Sequence, residues 1–331
     1  MIAEAKIEKD RRCINYLRLS VTDRCNLRCV YCMPEAGIDY IPHGEILSYE
    51  EMLRIVDLSV QCGIRKVRLT GGEPFVRKGF IHFLEQLSEI ETLDEITLTT
   101  NGVFLKEFAA AIKECGICRI NVSLDSLQPA KFSRITGRSY FEAVWDGIQE
   151  AERLGFNPIK LNVVAMRGVN DDEILDFARL TLEKPLHIRF IELMPVGENN
   201  NWTPERFISI GEIIERIETL GNLVPVESDP NDGPAERFVL EGGRGEIGLI
   251  GALSHHFCDR CNRLRLTADG HLRGCLFCDQ EIDLKAPLRA GRRDDYLLGL
   301  IRSAMANKPL GLERMAGSPR KCVRQMSSIG G

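Results

Sequence analysis

A chain of 331 residues with 44% hydrophobic and 27% charged residues has the make-up of an ordinary soluble globular protein, with room for one large or two average domains. Its formal net charge of −5 excludes a whole-molecule field that would draw in nucleic acid, so an anionic ligand needs a local group of bases. No run approaches the roughly eighteen apolar residues of a membrane span, and the N-terminal segment mixes acids with bases, so neither membrane helix nor secretory leader is expected and the cytoplasm is the default location.

From residue 16 to about 194, short apolar strands alternate with amphipathic helices. Strands are predicted at 16–21, 66–70, 95–100, 119–124, 159–165 and 187–193. Cys25, Cys29 and Cys32 follow the first strand. Three thiolates in so short a run reach one small inorganic core but leave a four-iron cluster one protein ligand short, so one iron keeps a position for an outside ligand. The alternative is a zinc site completed by a distant residue. Ser48 and Ser139, each followed three residues later by glutamate, predict capping boxes, and Gly63 and Gly155 suit the helix ends that follow. After the second strand, Gly71 and Gly72 let the backbone approach a ligand. Six strand–helix units imply a parallel sheet with right-handed crossovers, two units short of a closed barrel. The expected fold is therefore α/β: an incomplete, three-quarter TIM-like barrel of about six βα units over residues 1–196, open on one side.

Strand parity gives that barrel an unusual lumen. Arg18 lies between Leu17 and Leu19, Arg68 between Val67 and Leu69, and Lys160 between Ile159 and Leu161. The apolar neighbours must pack under helices, so the bases turn inward, where branched apolar residues usually fill a barrel. Several bases in one lumen call for an anion such as a triphosphate, unless Glu192 or Asp125 pairs with them.

Beyond residue 195 the rhythm changes, and residues 197–331 are expected to form a smaller α+β module. It should hold a helix near 210–220, strands near 237–240 and 246–250, a hairpin turning at Asp269-Gly270, and helices near 283–289 and 294–306. Cys258, Cys261 and Cys275 form a second group of three, but Cys278 completes a spacing that by itself also reads as a Cys₄ zinc ribbon, with His255 and His256 near by. Cys115 and Cys118 join a helix end to a strand start on the rim opposite the active face, and are expected to be incidental, as are Cys13, Cys62 and Cys322.

The cysteine run, Thr70-Gly71-Gly72-Glu73-Pro74, Thr99-Thr100-Asn101-Gly102, Asn121-Val122-Ser123-Leu124-Asp125-Ser126, Arg189-Phe190-Ile191-Glu192-Leu193-Met194, the stretch from Phe257 to Arg265 and the terminal Gly330-Gly331 together resemble one family. It is the molybdenum cofactor biosynthesis protein A family, the GTP 3′,8-cyclases of the radical S-adenosylmethionine (SAM) superfamily. The resemblance implies two [4Fe-4S] clusters, SAM as cofactor, and conversion of GTP to (8S)-3′,8-cyclo-7,8-dihydroguanosine 5′-triphosphate through a 5′-deoxyadenosyl radical. It implies that Cys25, Cys29 and Cys32 hold the SAM-binding cluster and that Cys258, Cys261 and Cys275 hold the second. Tyr31, Gly72, Ser123 and Met194 would contact SAM. Arg18, Arg68, Thr99, Lys160, Arg263, Leu264 and Arg265 would contact GTP, with Arg189 a further phosphate ligand. Gly330 and Gly331 would enter the active site, with Arg320 and Lys321 near the substrate phosphates.

Implied partners are an electron donor of unknown identity and a downstream cyclic pyranopterin monophosphate synthase. A homodimer is left open, and neither nucleic acid nor membrane is expected. Two other readings are a radical SAM peptide-modifying enzyme with an auxiliary cluster and a non-catalytic zinc- or nucleotide-binding protein.

Overall fold

The computed structural model describes residues 12–34, 37–197, 202–227, 233–309 and 322–330. Among these, twelve strands form one continuous sheet in the order β12-β11-β10-β1-β2-β3-β4-β5-β6-β9-β8-β7. The first six strands are β1 (Tyr16–Ser20), β2 (Lys66–Thr70), β3 (Glu95–Thr100), β4 (Ile120–Ser123), β5 (Ile159–Ala165) and β6 (Leu186–Glu192), all parallel in sequence order. This is the incomplete barrel that the repeat predicts.

Its parallel run is longer than the six units. β9 (Glu246–Ile250) adds in parallel to β6, and β10 (Arg263–Leu266) adds in parallel to β1. Antiparallel strands then extend each end: β8 (Glu236–Leu240) and β7 (Leu223–Pro225) beyond β9, and β11 (His271–Arg273) and β12 (Glu281–Asp283) beyond β10. The expected hairpin is present, with Gly270 at φ +84° in its turn.

Alternate residues of the parallel strands pack under the helices: Leu17, Leu19, Val67, Leu69, Leu98, Ile120, Val122, Ile159, Leu161, Ile188 and Phe190 are all buried in one apolar core. The helices covering them are α1 (Tyr49–Gln61), α2 (Phe80–Ser88), α3 (Leu105–Glu114), α4 (Pro129–Thr136), α5 (Phe141–Arg153) and α6 (Ile174–Glu183). Further along lie α7 (Ile210–Ile217), α8 (Lys285–Arg289), α9 (Asp294–Ala306) and a terminal turn, α10 (Met326–Ile329). None is long and apolar enough to cross a membrane.

Ser48 makes the predicted box at the start of α1, accepting from Glu51 N at 3.2 Å while Ser48 N donates to the Glu51 carboxylate at 2.7 Å. Gly63 and Gly155 follow their helices at positive φ. The second box does not form. α5 begins with Tyr140 as its cap, and Ser139 Oγ instead meets Ser133 Oγ of α4 at 2.9 Å. The cause is α4 itself, an eight-residue helix absent from the sequence reading, which draws Ser139 away. Among the cysteines outside the two triplets, Cys115 caps α3 and Cys118 is exposed just before β4, on the rim where strands begin.

Candidate active site

The strand ends and the lumen share one cavity, and both groups of chemistry-bearing residues face it. Its lining includes Cys25, Cys29 and Cys32, and also Arg18, Arg68, Arg189, Arg263 and Arg265.

The cysteine loop is held from two sides. Arg28 N and Val30 N donate to Thr136 O and Ile135 O at 2.8 and 2.9 Å, so the loop satisfies carbonyls that the last turn of α4 leaves without helical partners. Opposite, Gly72 N donates to Thr22 O at 2.7 Å and Glu73 N to Arg24 O at 2.8 Å. A Cβ on Gly72 would sit 2.2 Å from Arg24 O, and one on Gly71, at φ +144°, 2.4 Å from Thr22 O. Only glycine lets these backbones touch. Gly72→Ala is therefore expected to push the cysteine loop out of place, lowering iron content and SAM binding while helix content by circular dichroism stays unchanged.

The three thiols sense one another. Burial raises the Cys29 thiol well above its ordinary pKa, with Asp125, Cys32 and Cys25 adding to the effect. Burial, then Cys25 and Asp125, push Cys32 up to about 12. Such a group is stable as thiolates only around positive charge, which iron provides. Among the described residues no three His, Cys, Asp or Glu side chains are grouped to hold a single ion, whereas a cluster spreads three thiolates over three irons. The donor set fits an iron–sulfur cluster. Tyr31, Gly72, Ser123 and Met194 line the same cavity, and Tyr31 OH donates to Asp125 at 2.7 Å.

The bases stand in register. Arg68, Arg18, Arg265 and Arg273 are direct neighbours across β2, β1, β10 and β11. Burial, then the charge of Arg265, drives Arg18 well below the usual guanidinium range, and burial with Arg263 brings Arg265 to about 10. Burial alone would raise the Tyr16 phenol, yet Arg68, Arg18, Lys66 and Arg263 outweigh it and the pKa is lowered. The lumen is thus strongly positive. Its two carboxylates are engaged elsewhere: Glu192 accepts from the amides of Ile210, Leu253 and Ser254 at 2.7–3.0 Å, and Asp125 from Tyr31 and Val164 N. Arg189 donates to Asn121 Oδ1 at 3.2 Å, and Arg68 Nε to Thr97 Oγ1 at 3.1 Å. Buried polar atoms without a partner, Tyr16 Oη, Thr99 Oγ1, Asn162 Oδ1 and Ser327 Oγ, belong to residues lining the cavity, which fits a polar ligand.

Other expected residues sit apart from this lining. Lys160 pairs in register with Asn121 and His187, near the strand starts, and its charge acts on His187 and Glu246. Leu264 points into the apolar core, opposite in facing to Arg263 and Arg265. Gly330 is buried and its carbonyl accepts from Arg265, while a Cβ there would lie 2.6 Å from Thr70 Cγ2. Ser327, one turn earlier, hydrogen-bonds Cys32 through its backbone. Gly331, Arg320 and Lys321 lie outside the described residues.

In the second cysteine group, burial would raise Cys261, but Arg263 and Lys308 outweigh it and bring the thiol to about 6. The charges of Cys261 and Cys275 both act on Arg265 and Lys308, so the two share one basic environment. Cys258 shares one turn with Cys261, whose N donates to Cys258 O at 3.4 Å. Cys278 is buried, and its carbonyl accepts from Arg273 Nη2 at 2.6 Å. Lys308 carries no sequence signal for this role, because only the fold brings it to the cysteines. Tyr16 and Asn162 were open to the parity argument, since each shares a strand face with a base already singled out.

Comparison with known proteins agrees with this geometry. Residues 19–181 match the radical SAM superfamily and residues 186–313 match Molybdenum Cofactor Synthesis C. The chain is 50% identical over 326 residues to the GTP 3′,8-cyclase of Desulforamulus reducens, covering 98% of this chain and 100% of that one. It is 51% identical over 322 residues to the GTP 3′,8-cyclase of Thermodesulfovibrio yellowstonii, covering 97% and 98%. In fold alone it is similar to Streptococcus suis SuiB, with a TM-score of 0.59 at 15% identity over 98% of this chain and 80% of that one. Identity of this extent over nearly the whole length sets aside the peptide-modifying and non-catalytic readings: the chain belongs to the GTP 3′,8-cyclases, radical SAM enzymes of molybdenum cofactor biosynthesis.

Proposed function

We propose that this chain converts GTP to its 3′,8-cyclised dihydro triphosphate in the one cavity described, with the division of labour that follows. The observation that carries the reading is the facing of a cysteine triplet and five arginines across a single cavity. Cys25, Cys29 and Cys32 hold a [4Fe-4S] cluster, and Tyr31, Gly72, Ser123 and Met194 seat SAM beside it. When bound, these groups supply the one-electron chemistry that starts the reaction. Arg18, Arg68, Arg189, Arg263 and Arg265 neutralise the triphosphate, Thr99 donates or accepts through its hydroxyl, and Leu264 offers only main chain. Lys160 extends the positive lumen toward the strand starts. Burial of the whole assembly positions the ribose and excludes water.

Cys258, Cys261 and Cys275 hold a second [4Fe-4S] cluster, supported by the shared basic environment of Cys261 and Cys275 beside Arg265. Residues 1–196 thus serve SAM, and residues 197–331 serve the second cluster and the tail. Gly330 and Gly331 reach the site, as the hydrogen bond from Arg265 to Gly330 O supports. The product passes to a cyclic pyranopterin monophosphate synthase, an external donor supplies electrons, and the enzyme works in the cytoplasm.

Anaerobic incubation with SAM, reductant and GTP should give 5′-deoxyadenosine and a product isomeric with GTP by mass. SAM cleavage without cyclised GTP would refute the substrate. For the second cluster, Cys278→Ala should keep both its iron and its activity. Zinc released by that substitution would mark a Cys₄ ribbon instead.

A further inference from the structure

Between the cysteine loop and the glycine turn lies a buried carboxylate with a structural task. Glu73 has no solvent exposure. It accepts from Asn101 N at 2.6 Å, Thr100 Oγ1 at 2.8 Å and Phe75 N at 3.3 Å, so it ties the turn after β2 to the end of β3. The segment fixed in this way carries the Asn101 side chain, itself nearly buried, toward the first cluster cysteine. Asn101 Nδ2 lies 2.7 Å from Asn26 Oδ1 and 3.7 Å from Cys25 Sγ. Its Oδ1 accepts from Val103 N at 3.1 Å, which fixes which end of the amide faces the sulfur. Leu27 N supplies a second donor to the same sulfur at 3.4 Å. Asn26 Nδ2 is buried without a partner beside them.

We propose that Asn101, held by Glu73, is a positioning residue for the SAM-binding cluster, and that its amide donates to Cys25 Sγ and thereby raises that cluster's reduction potential. The inference rests on the reading of Cys25 as a cluster ligand. An N–H directed at a ligating thiolate withdraws electron density from it and favours the reduced, more negative cluster. The Glu73 clamp is what makes the interaction durable. A surface asparagine would exchange sulfur for water, whereas this one is fixed at its own backbone N–H and at both ends of its amide. The arrangement also links cofactor seating to electron supply, because one carboxylate ties the backbone just after the Gly71-Gly72 turn, at Phe75 N, to the backbone of the residue whose side-chain amide faces the cluster.

The test uses the reconstituted full-length enzyme without GTP and reads the midpoint potential of the cluster whose electron paramagnetic resonance signal responds to SAM. Asn101→Ala removes both the donor and the bond to Val103 N. Asn101→Ser keeps an oxygen for Val103 N but is too short to reach the sulfur. Both substitutions are expected to retain iron and lower the midpoint potential. An unchanged potential in Asn101→Ser, or loss of the SAM-responsive cluster from it, would overturn the assignment. Cys25→Ser serves as the control: a SAM-responsive signal persisting there would refute the ligand reading itself, separately from the role of Asn101.

Discussion

Serine at Cys25, Cys29 or Cys32 is expected to reduce 5′-deoxyadenosine formation to background, the largest effect any single substitution in this chain should have. Burial raises all three thiols, and the charge of Cys25 adds to the rise at Cys29 and Cys32, so a neutral hydroxyl in the set leaves the iron core with too little compensating charge. The cavity walls should survive, because the loop is fixed by backbone bonds to α4 and to Gly72 rather than by the sulfurs. The measurement is anaerobic SAM turnover together with iron content. Ordinary SAM cleavage by the triple serine variant would sink the assignment. Unchanged circular dichroism beside lost iron would show that the fold stands without the cluster.

The second large effect concerns the arginine row. Arg18→Ala or Arg68→Ala should weaken GTP binding by about 1.5–3 kcal/mol each, roughly ten- to 150-fold, the range of a charge-assisted hydrogen bond. The two are register neighbours on β1 and β2, so the losses should not add simply. Guanosine, which lacks phosphates, should bind both variants much as it binds the parent protein. Equal losses for guanosine and GTP would mean that these arginines hold the cavity's shape rather than the phosphates. Lys160→Ala should have a smaller effect, since its charge acts on His187 and Glu246 and the residue stands apart from the cavity lining.

What the sequence made legible was whatever depends on short-range pattern. The period of two along β1, β2 and β5 told which residues face inward, because a one-residue error would place leucines in the lumen and arginines under the helices. The cysteine spacing was readable for the same reason: eight residues of chain cannot separate three thiols far. The places where reading failed depend on partners distant in sequence. Nothing near Arg263 says that β10 lies beside β1, 247 residues earlier by the pairing of Arg18 with Arg265. α4 was missed because it is short, begins at Pro129 without a side-chain cap, and ends where the cysteine loop satisfies its carbonyls. Its presence then removed the Ser139 box, an error carried from one element to the next. Asn101 lay within a recognised motif, yet its task became visible only when Glu73 and Cys25 appeared on either side of it.

The placing of β9 and β10 at opposite ends of the parallel run bears on how the chain is made. During synthesis β1 emerges early and β6 midway, but the strands that cover them come from the last third of the molecule. Until residues 246–266 leave the ribosome, the nascent barrel has two uncovered edges, each a row of main-chain donors and acceptors able to recruit another chain. A polypeptide halted after β6 should therefore collapse around its βα units yet aggregate, and late C-terminal residues act as the fold's own protection against misassembly. β10, which brings Arg263 and Arg265 to the lumen, is also the strand that covers the open edge of β1.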